Sequence, residues 1–206
     1  MGDLAPVRQW VYQQLNSLLP SSSLEITSKF QGAEFTKWTG STQKGLEAKW
    51  KEEQAIRDAG GFAGTTTTCN VFLGTLVNKI FDAGGMERKR FDSFDLQGTG
   101  GNAWHYYPNA SQQPQAGDFF QIGKPGPDRA HAKKGGTFKH VGVILQIGGG
   151  VWTTIESGQG GPTLGYDKIK RKGPSAFPPS LFMGWINIEE YFDKWKAPGS
   201  KSSEAK

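Results

Sequence analysis

Residues 140–157 read HVGVILQIGGGVWTTIES. Two runs rich in β-branched and aromatic residues, HVGVILQIG and VWTTIES, flank a cluster of glycines. That is the pattern of two antiparallel strands joined by a tight turn. Two further β-rich runs lie on either side: GDFFQIG at 117–123 and LFMGWINI at 181–188. Ahead of them the period changes to that of a helix. Val7, Trp10, Val11, Leu15 and Leu18 repeat at helical spacing between Pro6 and Pro20. Residues 43–59, QKGLEAKWKEEQAIRDA, are rich in helix formers and end at Gly60-Gly61. Cys69, Phe72, Leu73, Leu76, Val77 and Ile80 form one apolar face that ends at Gly84-Gly85. Helices first and strands second is an α+β arrangement, with an antiparallel sheet packed on one helical layer.

The 206 residues suffice for one substantial domain, expected over 1–195 with its core near 60–165. Residues 97–117 and 123–137 read as loops, and the tail KAPGSKSSEAK at 196–206 as polar and disordered. Hydrophobic residues make up 35%, with 7 Trp and 13 Phe, so a core can form without covalent staples. The single cysteine excludes an internal disulfide framework and any Cys-rich zinc site, which fits synthesis in a reducing compartment. No HExxH-type spacing points to a catalytic metal, and no cofactor is expected. The N-terminal MGDLAPVRQWVYQQLNSLLP lacks the charge and apolar run of a secretory signal, and Pro6 stands where myristoylation needs Ser or Thr. No apolar run approaches a membrane span. The net charge of +5 is spread along the chain, with short clusters at MERKRF and KIKRKG, and no nucleic-acid motif accompanies it.

The lone thiol, Cys69, falls in the first turn of its helix, after the candidate caps Thr67 and Thr68. The unpaired N–H groups and dipole of a helix start stabilise a thiolate, whereas a mid-helix cysteine is inert packing. A cysteine nucleophile needs a base, and His105, His131 and His140 are the three histidines. His140 opens a core strand, which holds its ring rigidly. His131 lies in a Lys/Gly/Pro loop and reads as solvated. His105 sits in the aromatic cluster AWHYYP, where substrate contact competes with packing. The base needs an orienting group, for which Glu156, Ser157 and Gln159 are candidates. Glu156 is preferred, because a carboxylate also stabilises the imidazolium.

These stretches together, TTTCNVFLGTLV with Cys69, QAGDFFQIG with Gly117-Asp118, and KHVGVILQIGGGVWTTIESGQGG with His140 and Glu156, resemble the CHAP amidases and NlpC-like cell-wall peptidases. The resemblance covers roughly residues 60–165. It implies a papain-like hydrolase domain with Cys69, His140 and Glu156 as catalytic residues. It also implies an amide bond of bacterial peptidoglycan as substrate, contacted by Trp104, His105, Tyr106, Asp118 and Gln159. A chain made in the cytoplasm without a signal peptide would then reach the cell wall as an injected antibacterial effector, such as one delivered by type VI secretion, or as a lysin. An effector would have a cognate immunity protein as partner. The alternatives are a non-catalytic wall-binding module that stacks sugars on Trp104–Tyr107, and a papain-like toxin acting on another amide. The 123–137 segment is a candidate lid or a plain exposed connection.

Overall fold

A computed structural model describes residues 5–19, 24–25, 68–92, 95–108, 110–123, 139–157 and 168–197, with single helical or turn positions between 48 and 59. Among these the chain is α+β. The strands are β1 (Leu24–Glu25), β2 (Trp104–Tyr106), β3 (Phe119–Gly123), β4 (Lys139–Gly148), β5 (Val151–Ser157), β6 (Lys168–Ala176) and β7 (Phe182–Ile186). They form one sheet in the order β1-β6-β5-β4-β3-β7-β2, with every neighbour antiparallel. The helices are α1 (Pro6–Leu18), α2 (Thr68–Ala83), α3 (Leu96–Gly100) and α4 (Ile188–Tyr191). In the 43–59 segment, Ala48, Lys51, Glu52, Ala55 and Asp58 are helical. No described helix is long and apolar enough to cross a membrane.

The β4–β5 hairpin follows directly from its glycines. Gly148 pairs with Val151, leaving a two-residue turn at Gly149 and Gly150, whose φ values are +59° and +77°. Two consecutive positive φ angles match the right-handed twist of a hairpin, and glycine adopts them without strain. Alternation along β4 then assigns its faces. Val141, Val143 and Leu145 join the cluster under the helices, built with Phe72, Leu73, Leu76, Val77 and Ile80 of α2 and Val11 and Leu15 of α1. Ile144 points the other way, into a second cluster with Phe120, Trp152, Phe182 and Trp185. Helices thus cover one face of the sheet and its own aromatic side chains the other. Burying each large apolar side chain contributes about 1.5–3 kcal/mol.

Several elements differ from the sequence expectation. The 97–117 segment contains α3, a short 3-10 turn and the edge strand β2. The basic run KIKRKG is the start of β6, whose polar alternation hid it as a strand. The strand expected over 181–188 stops at Ile186, because Asn187 caps α4 by accepting from the backbone N–H groups of Glu189 and Glu190.

Asp118 also requires correction as an expected substrate contact. It is fully buried, and its carboxylate accepts from Arg8 Nη1 at 2.9 Å and from the backbone N–H groups of Gln115 and Ile188. Arg8, equally buried on the inner face of α1, also donates to the Ala116 carbonyl, Asn187 Oδ1 and Glu189 Oε1. Asp118 therefore ties α1 and the start of α4 to β3, and none of these contacts leaves it open to a substrate.

The 123–137 segment beyond Gly123, His131, Gln159, the cap Thr67 and the tail beyond Ala197 lie outside the described residues.

Candidate active site

Cys69 is the second residue of α2 and is 4% exposed. His140 is the second residue of β4, the central strand of the seven, and is 2% exposed. The two stand 71 positions apart in the chain and meet as a hydrogen-bonded pair. His140 Nε2 lies 2.7 Å from Glu156 Oε2, so Nδ1 is the ring nitrogen left for the sulfur.

Strand register explains why Glu156 is there. Gly142 is the cross-strand partner of Glu156, and side chains alternate with period two. His140, two residues before Gly142, therefore shares a face with Glu156 as its diagonal neighbour, within reach of long side chains. Gly142 has to be glycine. A Cβ there would sit 2.8 Å from Glu156 Cγ, from the Ile155 carbonyl oxygen and from Phe120 Cε1. The missing side chain leaves room for the stem of Glu156.

Ser157, the next residue, faces the opposite way. It is fully buried and its Oγ has no hydrogen-bond partner among the described residues, so nothing there links it to the imidazole. Two residues not singled out in the sequence complete the surroundings of Glu156. Thr154 Oγ1 donates to Oε1 at 2.5 Å, and Lys172 Nζ donates to Oε2 at 2.7 Å. Thr154 shares the face of Glu156 by period two, and Lys172 is the partner of Thr154 on β6. The Thr154 signal was present in the alternation of VWTTIES. The Lys172 signal was hidden inside a run that reads as surface charge.

The electrostatics form an alternating series. Burial works against a charge on His140, but hydrogen bonds and attraction from Cys69 and Glu156 outweigh it and raise the pKa to about 9. Burial likewise works against the Glu156 carboxylate, yet His140, Lys172 and Thr154 bring it down to about 2. At neutral pH the imidazole therefore holds its proton between a sulfur and a carboxylate. An imidazolium beside a thiol at a helix start favours the thiolate, the reactive form of cysteine.

The expected substrate contacts Trp104, His105 and Tyr106 are placed elsewhere. They lie on β2, three strand positions from β4 and so roughly 14 Å away across the sheet. Trp104 is buried in the helix-side core. His105 stacks on Trp185 with ring centroids 5.4 Å apart and bonds Glu190 Oε2 at 3.0 Å. Tyr106 is 37% exposed and borders a cavity of about 130 Å³ with Tyr107, Leu181, Phe182 and Met183. The contacts of His105 and Tyr106 lie on the β2–β7 side of the sheet, while Trp104 shares the helix-side core with Cys69.

Comparison of the chain with protein-family models, with curated proteins and with solved structures finds no match.

Proposed function

We propose that this chain is a cysteine hydrolase of papain-like architecture that cleaves an amide bond, with bacterial peptidoglycan peptides as its substrate. The observation that carries the chemistry is the unbroken series Cys69–His140–Glu156 between a helix start and a central strand. The choice of peptidoglycan rests on the resemblance of TTTCNVFLGTLV, QAGDFFQIG and HVGVILQIGGGVWTTIES to CHAP and NlpC-like enzymes. An antibacterial effector with its own immunity protein, or a lysin, is the biological setting that fits such a substrate.

In this reading the Cys69 thiolate attacks the amide carbonyl carbon, and negative charge builds on the carbonyl oxygen. Backbone N–H groups at a helix start such as that of α2 would stabilise that charge without reorganising. As the C–N bond breaks, the His140 imidazolium gives its proton to the departing amine, leaving a thioester on Cys69. Neutral His140 then takes a proton from water, whose oxygen attacks the thioester and releases the carboxylic acid and the thiolate. Glu156 holds the ring in one orientation through both steps and balances its charge when protonated.

Mass spectrometry of purified peptidoglycan digested with the protein tests this reading. Wild type should release defined peptide or muropeptide fragments, and Cys69→Ala should release none. Cleavage that survives Cys69→Ala would refute the assignment of the nucleophile.

A further inference from the structure

Glu156 is shared. Its Oε2 accepts at 2.7 Å from His140 Nε2 and at 2.7 Å from Lys172 Nζ, and the rest of its environment is closed, with the residue only 2% exposed. The Lys172 side chain is 40% exposed, so it is the one member of this group that meets solvent. We propose that Lys172 is a positioning residue that sets the pH window in which Cys69 and His140 exist as a thiolate–imidazolium pair. The inference rests on Cys69 being the nucleophile, and it concerns the regulation of that same site.

The argument is one of charge balance. With Lys172 in place, the buried Glu156 carboxylate is offset by one cation on each side. Without it, the carboxylate faces the pair with a full uncompensated negative charge. That charge disfavours the thiolate, so sulfur ionisation moves to higher pH. It also favours the imidazolium, so loss of the His140 proton moves to higher pH too. Both limbs shift in the same direction.

The groups facing Glu156 are His140 from β4, Thr154 from β5 and Lys172 from β6, with Cys69 of α2 behind the imidazole. Lys170 stands at the register position opposite Glu156. The Lys172 and His140 nitrogens touch the same oxygen, which puts them about 5 Å apart. Two unit charges at that distance, even at the dielectric of water, shift a pKa by about 0.6 unit.

The test is the pH dependence of Cys69 alkylation by iodoacetamide, which reads the pair directly and needs no wall substrate. Lys172→Met should move the midpoint of thiolate formation upward, by less than the about 0.6 unit that the same charge exerts on the nearer His140, whereas Lys172→Arg should leave it at the wild-type value. Far-UV circular dichroism and a thermal melt confirm that both variants are folded. A Lys172→Met midpoint equal to wild type, with only the plateau rate changed, overturns the inference, because a structural role alone would not move the midpoint. A wild-type midpoint at the ordinary thiol value of about 8.5 overturns the nucleophile reading and this inference together. If the midpoint shifts as expected but peptidoglycan stays uncut, the substrate assignment fails and the role of Lys172 stands.

Discussion

Glu156→Gln keeps the shape of the buried side chain and removes its charge. Glu156 is 2% exposed, and its pKa falls from an ordinary 4.5 to about 2. A depressed folded-state pKa means that the ionised group stabilises the fold above the unfolded value. That contribution is lost as pH falls through the folded value. At about 1.4 kcal/mol per pKa unit, the shift is worth about 3 kcal/mol, full above pH ~4.5 and gone near pH ~2. Urea unfolding followed by tryptophan fluorescence gives the stability of both proteins at steps between pH 7 and pH 2. Wild type should exceed the variant by about 3 kcal/mol at pH 7, and the gap should narrow across the acid range. A stability gap that does not change with pH, or no gap at pH 7, would refute the picture of Glu156 as an ionised buried partner.

Two further substitutions test neighbouring features. Gly142→Ala forces a methyl group into contact with Glu156 Cγ, a carbonyl oxygen and the Phe120 ring. It should cost about 1–3 kcal/mol in urea unfolding and reduce Cys69 alkylation at pH 7; a variant with wild-type values in both would show that the crowding is not real. Arg8→Met leaves the fully buried Asp118 without its guanidinium and should cost about 3–5 kcal/mol, part of which Arg8→Met/Asp118→Asn should recover. A loss under about 1 kcal/mol for Arg8→Met would place that ion pair among weak surface contacts.

What was legible in the sequence was what local periodicity encodes. The face of α2, the β4–β5 hairpin with its glycine turn, and the positions of Cys69 in a first turn and His140 at a strand start all follow from spacing within a few residues. The meeting of Glu156 with the imidazole does not follow from the turn alone, because a register shift between Ile144 and Gln146 sets Glu156 opposite Gly142, where the turn by itself would set it opposite Val143. Nor does the order of strands in the sheet follow from local spacing. The cluster Trp104–Tyr106 precedes β3 in sequence, yet β7 inserts between β2 and β3, and that carries the aromatics away from His140. Arg8 was missed because a charged residue inside an apolar helical stripe reads as solvent-facing until Asp118 arrives from 110 residues further on. Lys172 was missed because β6 is polar along its length, and a basic run carries no mark of which lysine turns inward.

His140 and Glu156 lie on one hairpin whose turn has only two residues, Gly149 and Gly150. Their meeting therefore depends on counting as much as on chemistry. The β4–β5 ladder shifts register by one residue between Ile144 and Gln146, which sets Glu156 opposite Gly142; without that shift Glu156 would stand opposite Val143 and its carboxylate would swing through to the helix-covered side. The site therefore rests on the register within residues 140–156, which an insertion or deletion there would reset.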